Sequence, residues 1–266
     1  MRYQRGDVEA RVAPHEPGRD AMSTLNFAQA APDLGSFDRT GVAVVFGASG
    51  GIGSALLSLI AASGHFAATM GFGRRSAIPV DLTDEASLSR AVDAAAAAGA
   101  IRLAIDATGF LHDADGGPEK SWRELHAGRL AHAFAINAIG PALLMKHLLP
   151  KLPRTGKAVF ATLSARVGSI GDNRLGGWYG YRASKAALNQ LVRTAAIELA
   201  RRAPDAVCLS LHPGTVATGL SAPFVQAGPN LHTAQAAAAH LLAVLNRVGP
   251  QHTGSFLDWR GEPIPW

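Results

Sequence analysis

Cysteine is nearly absent: the chain has one, Cys208, and so cannot close an internal disulfide. It lies in the apolar stretch Ala206-Val207-Cys208-Leu209, which reads as a small buried hydrophobe rather than a nucleophile. A disulfide-stapled secreted scaffold is therefore not expected. Long apolar runs are also missing. A bilayer-spanning helix needs ~18 apolar residues, and the richest runs here, 94–98 and 236–245, are short and alanine-heavy. The expectation is no membrane span and a cytoplasmic location. Dense charge of one sign is lacking too. The net charge is +5, but the basic residues are scattered singly or in pairs, with no run of four and no aromatic residues interleaved. A nucleic-acid partner is not expected, and a cofactor phosphate suffices as the anion. Finally, the ten histidines form no H-x-x-x-H or H-E-x-x-H pair. His112, His212 and His240 are isolated, and His126 and His132 fall on different helical faces, so no metal is expected.

What is present is 266 residues, 48% of them hydrophobic, enough for one α/β domain with a large core. Residues 1–40 mix Pro14, Pro17 and Pro32 with charges and show no period. They read as a poorly ordered, non-catalytic extension, with Met22 as an alternative start. From residue 41 onward, strand, turn and helix repeat. Strands are expected at 41–46, 66–70, 78–80, 101–107, 157–163, 206–211 and 254–258. Helices are expected at 55–63, 85–98 (capped by Thr83), 129–149 (stopped by Pro150), 181–201 and 233–246. Such alternation predicts a single doubly wound, Rossmann-like parallel sheet of about seven strands with helices on both faces.

Two motifs carry chemistry. The first apolar strand runs into Gly47-Ala48-Ser49-Gly50-Gly51-Ile52-Gly53 directly before a helix. Glycines there let the backbone turn sharply and approach a pyrophosphate, whose charge meets the free N–H groups of the helix start. Downstream, Tyr181 and Lys185 stand four apart on one helical face. Bringing a phenol of pKa ~10 to neutrality takes about 4 kcal/mol. A cation at ~4 Å in an effective dielectric of ~20 supplies about that much. Tyr179 has no such partner, because Ala183 lies four residues on.

With GASGGIG at 47–53, Asp81-Leu82-Thr83-Asp84, Asn137, YRASK at 181–185 and PGTVAT at 213–218, the chain resembles the short-chain dehydrogenase/reductases over residues 41–266. Within that family it is most similar to the C-factor-type branch, through LHDADGGPEKSW at 111–122, RVGSIGDNRLGGWYG at 166–180 and GEPIPW at 261–266. The resemblance implies Tyr181 as catalytic acid/base, Lys185 as the group that lowers its pKa and holds the nicotinamide ribose, and Asn137 as holder of a proton-relaying water. It also implies a cofactor surface of Gly47, Ser49, Gly51, Ile52, Gly53, Asp81 (at the adenine), Leu82, Thr108, Pro213, and Val216 with Thr218 at the nicotinamide end.

The chain departs from the family pattern in three places. The position twenty before Lys185, where the catalytic serine is placed, is Ala165, leaving Ser164 as the choice and Ser169 as the other candidate. The family's N-N-A-G is Asp106-Ala107-Thr108-Gly109. Only five residues separate Arg75 from Asp81, so the usual helix there is missing or reduced. Arg74 and Arg75 end the second strand with no acid before Asp81, which favours NADP over NAD.

The leading expectation is an NADP-preferring oxidoreductase acting on a small carbonyl or alcohol, working as a homodimer or homotetramer through helices 129–149 and 181–201. Its segment 221–231, with Pro223, Phe224 and Val225, would wall the substrate. The alternative is a nucleotide-binding signalling protein with weak or no turnover.

Overall fold

The computed structural model describes residues 31–114, 116–224 and 231–266. Its centre is a six-stranded sheet in the order β2-β1-β3-β4-β5-β8, every pairing parallel. The strands are β1 (Val42–Phe46), β2 (Ala68–Phe72), β3 (Ile101–Asp106), β4 (Ala158–Leu163), β5 (Ala206–His212) and β8 (Phe256–Asp258). A small parallel pair, β6 (Thr215–Val216) and β7 (Leu231–His232), follows β5.

Side chains alternate across the sheet with the period of a pleated strand. Val42, Val44 and Phe46 enter one apolar layer with helices α2 (Glu85–Ala98), α4 (Gly140–Leu148) and α5 (Tyr179–Arg202). Ala43 and Val45 enter the other, with α1 (Gly51–Ser63) and α6 (Ala234–Arg247). Cys208 is fully buried in the first layer, and burial pushes its thiol up to about 12, as expected for a core residue.

Three expectations change. Residues 78–80 form no strand: the segment makes only an isolated bridge from Gly73 to Pro79, so the sheet has six strands and ends at β2. Ser76 ties the tight loop by accepting from the Gly73 N–H and donating to the Ile78 carbonyl, and no helix intervenes before α2. The cap of α2 is Asp84, which accepts from the Ala86 N–H at 3.0 Å, one residue past Thr83. Residues 31–40 are not a free extension, because Leu34 and Phe37 are buried in the second layer. The Lys157 ammonium lies 4.5 Å over the Phe37 ring and donates to the Leu245 and Asn246 carbonyls at the end of α6. Met22 lies outside the described residues.

The helical segment Ala127–Lys151, which opens with α3 (Ala127–Phe134), is long and apolar enough by composition to cross a membrane, which the sequence does not suggest run by run. Half of its apolar window is buried inside this fold, where α4 packs on α2 and α5. The segment runs through Pro150, which sits in a closing 3₁₀ turn, and it is interrupted by a π-helical turn at Ala135–Ile139.

Candidate active site

The chain leaves β1 for β2 on one side, then returns through α2 to β3 on the other. The carboxyl ends of β1 and β3 therefore flank the crevice where a doubly wound sheet binds its ligand. A cleft of about 390 Å³ opens there, lined by Gly47, Ser49, Arg74, Asp81, Leu82, Thr83, Thr108 and neighbouring residues. Six of the expected cofactor residues are thus brought together.

The glycine turn is fixed by close approach. Gly47 takes φ +76°, and a Cβ there would meet the Ala107 carbonyl carbon at 2.8 Å. A Cβ on Gly53 would lie 2.2 Å from the Gly47 carbonyl oxygen. At Gly51 it would lie 2.8 Å from the Thr218 methyl, so the segment after β5 touches the start of α1. Ile52 packs into the second core layer and so shapes the turn from behind. These contacts leave backbone, not side chain, facing the crevice, which fits a pyrophosphate at the helix start.

At the β2 end, Arg74 and Asp81 share the cleft wall, while Arg75 does not line it. Asp81 accepts from the Thr83 N–H and hydroxyl at 2.8 and 2.7 Å, and these bonds, with a smaller contribution from the Arg74 charge, hold its carboxyl below the usual range.

The side chains expected to react gather at the ends of β3 and β4. Asn137 sits inside the π turn, a device that recurs at functional sites. Fully buried, it clamps Phe110, accepting from its N–H at 2.7 Å and donating to its carbonyl at 2.8 Å, and it also donates to Ser184. Lys185 is 3% exposed and donates to the Leu163 carbonyl at 2.8 Å. A Cβ on Gly109 would lie 3.8 Å from both Asn137 Oδ1 and Lys185 Nζ, so that glycine is where the two approach.

Burial lowers the Lys185 ammonium to about 8, and the charge of Asp106 acts against that fall. Asp106 is a residue sequence reasoning passed over. It is fully buried, accepting from the Thr108 N–H at 3.1 Å and the Thr162 hydroxyl at 2.8 Å. Its signal was the departure from N-N-A-G, read only as a loss.

For Tyr181, the spacing argument anticipated a lowered phenol. Instead burial pushes it up to about 12. Burial is the cause, and the Lys185 ammonium, 5.9 Å from the ring centroid and donating to the Leu163 carbonyl, does not offset it. In this arrangement the phenol keeps its proton.

The two serines part company. Ser169 donates to the Pro265 carbonyl and accepts from the Asp172 N–H, so its hydroxyl is engaged. Ser164 is 4% exposed and its hydroxyl has no partner. Beyond β5, Ser221 accepts from the Thr218 N–H and donates to the Val216 carbonyl, pinning the segment expected at the nicotinamide end. Pro213 joins β5 to that segment; Val225 lies outside the described residues.

Residues 51–252 match the family model described as Enoyl-(Acyl carrier protein) reductase, and the chain belongs to the short-chain dehydrogenase/reductase family. Among its relatives, C-signal of Myxococcus xanthus is 36% identical over 52% of this chain and 78% of that protein. The 1-hydroxy-2-glutathionyl-2-methyl-3-butene dehydrogenase of Rhodococcus sp. is 37% identical over 49% of this chain and 56% of that protein. The NADPH-bound carbonyl reductase from chicken fatty liver superposes with a TM-score of 0.76 at 23% identity, covering 90% of this chain and 98% of the other, which shows a shared fold.

Proposed function

We propose that this protein transfers hydride between NADP(H) and a small carbonyl or alcohol substrate. The observation that carries this reading is the meeting of Lys185, Asn137 and Gly109 at the β3 end of the cleft, with Tyr181 one helical turn before Lys185. A binding protein has no need of a buried ammonium beside a phenol.

When bound, the nicotinamide cofactor supplies or accepts the hydride. Gly47, Gly51 and Gly53 would cradle its pyrophosphate, and Arg74 would meet a ribose phosphate. On the protein side, Tyr181 donates its proton to the carbonyl oxygen as that oxygen gains charge. Ser164, buried without a partner, supplies the hydroxyl that orients the oxygen. Lys185 turns from Leu163 toward the phenol and ribose. Asn137 keeps the Phe110 backbone in place beside the relay path.

An apolar groove between α4 and α5, lined by Met145, Leu149, Leu191 and Leu199, is the proposed contact for a homodimer or homotetramer. Light scattering that finds only monomers at working concentration would contradict that.

A second reading rests on the C-signal match: a nucleotide-binding signalling protein with little turnover. Screening a carbonyl panel for NADPH oxidation separates the two. Turnover that depends on Tyr181 supports the oxidoreductase; tight NADPH binding with nothing reduced supports the signalling protein.

A further inference from the structure

Trp178 is the only described non-glycine residue with positive φ, at φ 54° and ψ 42°. Gly176 and Gly177 precede it at φ 64° each, so three consecutive residues are left-handed immediately before α5. Glycine takes this conformation freely, whereas a bulky residue there is an outlier held by its surroundings. The restraints are visible. The Trp178 N–H donates to the Glu119 carbonyl, and the Trp178 carbonyl accepts from the Arg182 N–H at 2.8 Å. A helix cap does not call for tryptophan, since small polar residues fill that position best. The capping is done instead by buried Glu119, whose Oε2 accepts from the Gly180 N–H at 3.0 Å.

The held backbone delivers an indole beside the reacting phenol. The Trp178 and Tyr181 rings meet edge-on at 6.2 Å between centroids, and Trp178 meets Phe224 edge-on at 5.7 Å. His112 meets Phe224 at 5.3 Å, and its Nε2 is 3.3 Å from the Gly219 carbonyl. Gly117 admits the Phe224 ring, because a Cβ there would sit 3.2 Å from two of its carbons. Trp178, Phe224 and His112 are all partly exposed, so the corner presents aromatic surface next to Tyr181.

Among the described residues the arginines around this corner are already committed. Arg129 donates to the Gly116 and Gly117 carbonyls, Arg182 to Gly176, Gly177 and Val167, and Arg166 pairs with Asp172. Glu119 adds a carboxylate. Among the described residues an anionic substrate group would meet the Glu119 carboxylate and the exposed ammonium of Lys120 beside Gly177, whereas a flat apolar group gains edge and face contacts with the rings.

We infer that Trp178 and Phe224 form a specificity wall that selects a neutral aromatic carbonyl as substrate, with Trp178 held in a strained backbone for that purpose. This rests on the hydride-transfer reading for the chemistry, but the wall itself can be tested by binding alone.

The test compares para-methylbenzaldehyde, octanal of equal carbon count, and para-carboxybenzaldehyde as substrates with NADPH. The non-reducible para-methylbenzamide serves as a calorimetric ligand. Trp178→Gly removes the indole and suits the left-handed backbone, so folding is kept; Phe224→Leu keeps apolar bulk without the ring. The expected result is a wild-type preference for para-methylbenzaldehyde over both others. In Trp178→Gly its KM rises about tenfold, octanal kinetics change less than about twofold, and the melting temperature is not lowered. Phe224→Leu should show the same selectivity change in smaller measure. Equal losses on the aryl and aliphatic aldehydes, or a preference for para-carboxybenzaldehyde, would overturn the wall while leaving the oxidoreductase standing. If no carbonyl is reduced yet para-methylbenzamide binds in a Trp178-dependent manner, the wall stands and the oxidoreductase reading falls. If neither turnover nor such binding is seen, both fall.

Discussion

The Lys185 ammonium donates to the carbonyl of Leu163 at 2.8 Å, the residue directly before Ser164. One bond thus joins the helix that carries Tyr181 to the strand end that carries the unpartnered serine. Lys185→Met keeps the aliphatic stem but removes the charge. It is expected to weaken NADPH binding and to lower turnover by a factor of ~10² or more, the scale of a lost acid–base partner. Calorimetry with steady-state kinetics checks both effects together.

The same lysine sets a pH limit. Its pKa is pulled to about 8 by burial, with Asp106 resisting. Reductive turnover should therefore fall as pH rises through about 8, when Lys185 loses its proton. In Asp106→Asn the resisting charge is gone, so the alkaline limb should move to lower pH; a rate–pH profile reads the shift. For stability the direction is opposite. The unfolded chain keeps this proton up to ~10.4, so between about 8 and that value the unfolded state binds more protons. This group therefore adds native stability as pH rises through that window.

Ser164→Ala and Ser169→Ala should separate cleanly. Removing a donor aimed at a developing oxyanion costs roughly 10² in kcat, and Ser164 is expected to lose on that scale with its melting temperature unchanged. Ser169 ties the segment after β4 to the Pro265 carbonyl. Its loss should cost stability, about 1 kcal/mol for one hydrogen bond, with turnover nearly intact. The reverse pattern would reassign the serine.

Arg74→Ala should narrow the gap between NADPH and NADH affinity by about tenfold, the worth of one charge-assisted bond. Arg75→Ala should change it little, because Arg75 does not line the cleft. Equal effects from the two variants would return both to solvated surface.

Phe37 tests where the domain begins. It is 3% exposed, against Phe66 and under the Lys157 ammonium. Phe37→Ala is expected to lower stability by about 3 kcal/mol, as for a core aromatic; a denaturant melt measures it.

What could be read in advance follows from the range of the interactions involved. The β1–glycine turn–α1 unit and the Tyr181/Lys185 spacing were legible because each is set by neighbours a few residues apart. Asp84 displaced Thr83 as the cap of α2 because a hydrogen bond to the Ala86 N–H, not residue type, decides the position. The expected strand at 78–80 failed because Ser76 folds the short loop onto Gly73 and leaves only a bridge at Pro79. Leu34 and Phe37 looked like tail, since their partners lie far along the chain, in α6 and at Lys157. The raised Tyr181 phenol was missed for the same reason. Spacing fixes that Lys185 shares its face, but only the fold decides that the phenol is buried and that the ammonium donates to Leu163. Trp178 gives no local sign of its left-handed backbone beyond the two glycines before it.

The central claim is that Tyr181 protonates the carbonyl oxygen, and Tyr181→Phe tests it most directly. The substitution keeps the ring and its contact with Trp178 while removing the hydroxyl. NADPH oxidation is followed with a carbonyl substrate the wild type accepts, alongside calorimetric NADPH binding to both proteins. The account predicts unchanged NADPH affinity and turnover reduced by ~10² or more. Near-normal turnover in Tyr181→Phe would contradict it.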